Sequence, residues 1–264
     1  MLMIFAEIDR AIRMRSGDLV VRCKLPDRST EKGTIVGQVL DQIGLLERIG
    51  QKPPAEHDGE EFDESVKHWR YATGTRIDTR PGDVLEEHDG RIAPALMTGM
   101  QIGLSEAIIN SIHHAYAKDR NDGCQQFREH RWWMFTHELD GWLQVLVCDL
   151  GIGIPRSLPL TWDRRLLGKL QAIFKDDQSD VAAIKTALVL GETSTDEEHR
   201  GKGLPQIWEA TMAAEGGVVG IFSDKAYLRS TQATGIESVQ FADRLLGTLV
   251  YWKVPVESAA SNDG

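Results

Sequence analysis

The stretch WLQVLVCDLGIGIP, Trp142 to Pro155, decides how this chain is read. Its first eight residues form an apolar, strand-like run that stops abruptly at Asp149. A carboxylate at the end of a buried strand needs a polar partner, and an amino group of the adenine kind is a good one because the carboxylate can accept its hydrogen. Gly151 and Gly153 follow at once, and glycine permits close backbone approach and unusual dihedral angles. The spacing is not G-x-G-x-x-G, no strand–helix–strand unit surrounds it, and the G-K-[ST] ending of a Walker loop is missing. Taken alone, the stretch reads equally as a ligand-facing turn or as a tight turn with a capping Asp.

Upstream, WWMFTHEL (Trp132–Leu139) is a second strand, joined to the first by Asp140-Gly141, a two-residue hairpin turn. Before it a long helix is expected from about Arg91 to Lys118. Within GLSEAIINSIHHAYAK, helical periodicity puts Leu104, Ile108, Ser111, Ile112 and Ala115 on one side, facing a sheet, and Glu106, Asn110, His113 and Ala117 on another. Glu106 and Asn110 are four apart and stack on one face. An amide oxygen there suits a hard cation such as magnesium, and a carboxylate one turn earlier can orient and deprotonate water. The blander reading is a solvated Glu and an Asn bonded within its own helix. His113 and His114 have no further ligand at metal-binding spacing.

Downstream, residues 161–190 read as mostly helical. The loop GETSTDEEHRGKGL (Gly191–Leu204) then opens another helix. Backbone N–H groups at a helix start suit phosphate oxygens, and Arg200 and Lys202 add positive charge beside an acidic run. A flexible loop before a helix is the alternative. GVVGIFS (Gly217–Ser223), AYLRS (Ala226–Ser230) and GTLVYWKVP (Gly247–Pro255) follow as strands. The order of helix, hairpin, helices and antiparallel strands predicts a sheet with helices over one face and the other face wet.

Residues 1–90 carry no recognisable chemistry and read as an accessory α/β or partner-binding region. LVVRCKL (Leu19–Leu25) is strand-like, and TIVGQVLDQIGLLERIG (Thr34–Gly50) is helical through Val36, Val39, Leu40, Ile43 and Leu46, with Gly50 as its C-cap. QKPPAEHDGEEFDESVK (Gln51–Lys67) reads as a loop, and YATGTRIDTRPGD (Tyr71–Asp83) as a strand or hairpin edge ending in a Pro-Gly turn. Residues 255–264 are expected to be a disordered tail.

The 264 residues carry 30 Lys and Arg against 40 Asp and Glu, a formal charge of −10, which argues against a general nucleic-acid-binding surface. It leaves room for a nucleotide pocket, where local N–H groups and a metal outweigh a distant field. Cys23, Cys124 and Cys148 are scattered, so neither a disulfide framework nor a thiolate zinc site is indicated. The apolar start MLMIFAEIDR lacks the basic head and long core of a signal peptide. No run is long enough to span a bilayer, so the cytoplasm is the default location and no membrane partner is expected.

Three of these elements, taken in order, resemble one superfamily. EAIIN (Glu106–Asn110) is similar to its N box, DLGIG (Asp149–Gly153) to its first glycine box, and GKGL (Gly201–Leu204) to its second. Gly247-Thr248 resembles the terminal Gly-Thr element. The group is the GHKL ATPases (gyrase B, Hsp90, histidine kinase, MutL), and EAIINSIHHAYAK is most similar to the bacterial anti-sigma factor and serine kinase branch and to stand-alone ATP-binding regulators. The resemblance covers residues 91–254. It implies a Bergerat fold: a two-layer α/β sandwich of helices on a mixed, mainly antiparallel sheet, with an ATP lid over about 156–200. It implies ATP and Mg2+ as ligands. Asp149 would receive the adenine amino group, Thr248 would support a bridging water, and Gly151 and Gly153 would frame the base. Asn110 would hold magnesium, Glu106 would be the general base, and Arg200, Gly201, Lys202, Gly203 and Leu204 would close over the phosphates. Three functions follow as expectations: a slow ATPase gating a protein partner, a protein serine/threonine kinase of the anti-sigma type, or a non-catalytic nucleotide-responsive module. Self-association as a homodimer belongs to the same expectation.

Overall fold

Five antiparallel strands form one sheet in the order β1-β2-β3-β5-β4: β1 (Trp69–Gly74), β2 (Trp132–Leu139), β3 (Trp142–Asp149), β4 (Val218–Thr231) and β5 (Gly235–Pro255). The computed structural model describes residues 1–15, 21–27, 29–51, 62–77, 80–86, 88–123, 129–174, 179–193 and 203–257. The hairpin expected at Asp140-Gly141 is present. Both residues have positive φ, 53° and 74°, which matches the twist of the strands the turn connects. Among the described residues every strand pair is antiparallel, where a mixed, mainly antiparallel sheet was expected.

One face of the sheet carries the main core. Alternate residues Trp132 and Met134, Val145 and Val147, Val219 and Ile221, Val250 and Trp252 point into it, as the two-residue strand period requires. The helices over that face are α6 (Pro94–Asn110), α9 (Ser179–Thr193) and α10 (Gly203–Ala213). Helix α6 starts later than expected, at Pro94, whose fixed φ suits a first helical position. It runs on through a π-helical turn at Ser111–Ala115.

Glycines set how closely α6 and α10 approach. A Cβ at Gly99 would lie 2.4 Å from the Ala210 Cβ, and one at Gly103 would lie 2.4 Å from the Ile207 Cβ. Residue numbers fall on α6 as they rise on α10, so the helices are antiparallel. The start of α10 therefore lies level with Glu106.

The other face departs from expectation, because α1 (Leu2–Met14) covers β2 and β3. Leu2, Phe5 and Ala6 pack on Trp133, Phe135 and Cys148, joined by Ile43 and Leu45. Asp9 on α1 is fully buried. It accepts from Trp133 Nε1 at 3.0 Å and pairs with Arg13 at 2.9 Å and Arg48 at 2.6 Å. A wet face was expected there; apolar α1 residues at helical spacing claim it instead. The helix expected over 34–50 is split into α2 (Glu31–Gln42) and α3 (Leu45–Arg48) at Gly44, where φ is 73°. Gly50, with φ 71°, ends it as expected.

Two further expectations fail. The described part of LVVRCKL, residues 21–25, pairs with no strand. The Pro-Gly turn at 81–82 is instead the first turn of α5 (Arg80–Glu86), where Pro lacks only an N–H that helix would leave unused. A short helix α4 (Glu64–Lys67) precedes β1. At the other end, Pro255 closes β5, Val256 is buried, and Glu257 N–H donates to Arg91 O at 2.8 Å. Residues 258–264 lie outside the described ones. No described helix is long and apolar enough to cross a membrane.

Candidate functional site

Asp149 ends β3 with its side chain buried at 5% exposure. Its Oδ1 accepts from Gly151 N–H at 2.8 Å and Thr248 N–H at 3.2 Å. No described residue donates to Oδ2. Burial pushes the carboxyl up from 3.8 to about 7, against the two backbone donors and the Arg120 guanidinium. A buried acid with one oxygen anchored and one open is a built acceptor for a ligand N–H.

The strand order explains why these residues meet. Asp149 and Thr248 are direct cross-strand partners, and Thr248 is opposite Ser223 on β4. The Ser223 and Thr248 hydroxyls are 3.0 Å apart, and Ser223 Oγ accepts from Ile154 N–H at 2.8 Å. Gly247 sits at φ 105°, and a Cβ there would lie 2.1 Å from Asp149 O. Gly153 sits at φ 82°, with Ser223 Oγ 2.9 Å from where its Cβ would be. Both positions require glycine.

Helix α6 reaches the same place through the π-helical turn that follows it. Ala115 O accepts from Ile152 N–H at 2.8 Å, and a Cβ at Gly151 would lie 2.1 Å from that oxygen. Tyr116 closes the turn. Its hydroxyl accepts from Leu150 N–H at 3.1 Å, donates to Arg131 O, and its ring stacks on His130. The glycine loop is thus docked on the end of the helix that carries Glu106 and Asn110. π-helical turns inside α-helices gather at functional sites.

Asn110, the last residue before that turn, is exposed, and Glu106 is half-buried. Burial raises the Glu106 carboxyl above its ordinary value. Gly203 opens α10, and Leu204 packs against the main core. The N-terminus of an eleven-residue helix presents backbone N–H groups and a positive dipole end, which suit an anion. Arg200, Gly201 and Lys202 lie outside the described residues. His113 is exposed, and no cluster of three His, Cys, Asp or Glu suited to a metal occurs among the described residues. A cation here would rest on the Asn110 amide oxygen and on ligand oxygens.

Beyond the glycine loop come α7 (Ile154–Thr161) and α8 (Arg164–Ile173). Leu158 and Leu167 form a small separate core with Leu190 of α9, while Val181, Ile184 and Leu188 of α9 belong to the main core. Sequence reading missed Ser223 and Tyr116. Ser223 is the first polar residue of β4, and its place beside Thr248 shows only once β4 and β5 are in register. Tyr116 gives no local signal, because its partners Arg131 and Leu150 lie 15 and 34 residues away in the chain.

The charge state of Asp149 has a measurable consequence. Its folded pKa lies above the unfolded one, so the ligand-free fold holds the proton more tightly. The penalty is absent below pH 3.8, grows from there and is complete above about 7. In thermal melts, Asp149→Asn should gain stability over the wild type as pH rises from 5 to 8. A gap that does not change with pH would mean the carboxylate is ionised throughout.

The protein has a mixed α/β fold with helices packed on an antiparallel sheet. No family model matches the chain, and no curated protein matches it.

Proposed function

We propose that this protein is a magnesium-dependent ATP-binding regulator of the GHKL type that hydrolyses ATP slowly and so gates a protein partner. The observation that carries the reading is Asp149: buried, anchored through Oδ1 and open at Oδ2. An exocyclic amino group donating to Oδ2 would satisfy the open oxygen. The adjoining Thr248 hydroxyl can donate or accept, as the edge of an adenine ring requires.

The polyphosphate would run from this end toward the Asn110 face and the start of α10. Asn110 would offer its amide oxygen to magnesium, which would bridge the phosphates and neutralise their charge. Glu106 lies one helical turn from Asn110 and level with the start of α10. Its raised carboxyl favours accepting a proton from water over remaining a bare charge. That favours hydrolysis over a purely binding role. Helices α6, α9 and α10 packed over one face of an antiparallel sheet support this reading.

The test is calorimetry with ATP, ADP and a non-hydrolysable analogue, each with and without magnesium, followed by single-turnover phosphate release. ATP binding should depend on magnesium more strongly than adenosine binding does. Glu106→Ala should bind ATP near wild-type affinity and release phosphate about a hundredfold or more slowly. Equal release from both proteins would remove Glu106 from the chemistry.

A further inference from the structure

We infer that the Ser223–Asp224 bulge of β4 is a coupling element: it ties the base-binding strand to the first turn of α7, so that occupancy at Thr248 is felt in that helix. The inference rests on the reading of Asp149 and Thr248 as the adenine end of the site.

Two consecutive residues make two separate ties to α7. Ser223 Oγ accepts from the N–H of Ile154, the first residue of α7, at 2.8 Å. Asp224 is 6% exposed and has φ 52°. It pairs with Arg156 Nε of α7 at 3.1 Å and with Arg244 Nε of β5 at 3.0 Å. The register between β4 and β5 shifts on both sides of Asp224. A bulge re-aims side chains away from the regular ladder, and here it turns the Asp224 carboxylate onto two guanidinium groups. The neighbouring Lys225 N–H also donates to Asp180 at the start of α9, at 3.2 Å.

The hydroxyl pair gives the tie a direction. Ser223 Oγ has one hydrogen, and two acceptors are within reach: Thr248 Oγ1 at 3.0 Å and Gly247 O at 3.5 Å. A ligand or bridging water that accepts from Thr248 turns that hydroxyl outward. Thr248 Oγ1 then accepts, and Ser223 becomes its donor. A hydroxyl committed as a donor is a better acceptor, because hydrogen bonds in a chain polarise one another. The Ile154 N–H···Ser223 bond tightens, and the first turn of α7 with it. The Asp224–Arg156 pair holds the same turn from its other side. Ser223 and Asp224 act as positioning residues, with no contact to the ligand required of either.

The experiment is amide hydrogen exchange on the full chain across residues 154–161, with and without saturating ADP and magnesium. In the wild type, ADP should slow exchange there about tenfold. Ser223→Ala and Arg156→Met should keep ADP affinity within about tenfold of wild type yet lose that ADP-dependent slowing. Arg156 is part-exposed, so its replacement tests the second tie even if Ser223→Ala fails to fold. A role confined to stability would raise exchange equally with and without ADP and would overturn the inference. So would wild-type slowing in either variant, or a hundredfold loss of ADP affinity in Ser223→Ala. Asp149→Asn separates the two readings: undiminished ADP binding in that variant refutes the adenine site itself, whatever α7 does.

Discussion

Asp149→Asn should lose ATP and ADP binding by about a hundredfold or more while the folded protein melts at a higher temperature at pH 8. The two effects have opposite signs and one cause. Asn keeps an Oδ1 that can still accept from Gly151 and Thr248 N–H groups. Its other terminus is an amide donor where wild type has an open acceptor. An adenine amino group then meets a donor, and a charge-assisted bond of about 1.5–3 kcal/mol becomes an unpaired contact. In the ligand-free fold, the substitution removes a carboxylate that burial pushes to about 7, and with it the cost of ionising that group in the interior. Sites built for function often hold such destabilising groups. Calorimetry and thermal melts on one preparation check both halves. Affinity equal to wild type would overturn the site assignment. A lower melting temperature at pH 8 would show that the backbone donors already compensate the charge.

What the sequence disclosed depended on whether the signal was local. The β2–β3 hairpin was legible because Asp140-Gly141 needs positive φ at both residues and little else provides it. The buried face of α6 and its π-helical turn was legible from period alone: of the five residues expected on it, Leu104, Ile108, Ser111 and Ala115 are buried and Ile112 is half-buried. Gly151 and Gly153 were legible as close-approach glycines, though not what they approach.

The misreadings were of pairing and cover. LVVRCKL has strand-like composition, but composition carries no partner. MLMIFAEIDR names no partner in the sequence; its Leu2, Phe5 and Ala6 are the cover of the second sheet face. Gly99 and Gly103, four apart, mark the α6–α10 contact that brings the start of α10 to Glu106. Ser223 and Asp224 depend on the register shift in β4 and β5, a property of two strands that one strand's sequence does not contain.

Gly151→Ala is the substitution expected to damage fold and site together. The added Cβ would lie 2.1 Å from Ala115 O and 2.6 Å from the Ala115 Cβ. Neither is the free end of a flexible side chain, so the glycine loop has to move off the end of α6. That move breaks the Ile152 N–H···Ala115 O bond at 2.8 Å and pulls Leu150 N–H from the Tyr116 hydroxyl. Overpacking costs about 1–3 kcal/mol, and each buried bond left unmade adds about 1 kcal/mol. At about 2–4 °C per kcal/mol for a chain of this size, the melting temperature should fall on the order of 10 °C. Gly44→Ala is the matched control. Its φ is 73° with nothing within 4 Å, so it carries only left-handed backbone strain, about 1 kcal/mol. Gly44→Ala should bind ADP as wild type does. Gly151→Ala should bind at least tenfold more weakly even well below its melting temperature, because Asp149 Oδ1 loses the N–H of residue 151 when the loop shifts. Equal melting temperatures for the two variants would mean that the glycine loop does not rest on the π-helical turn.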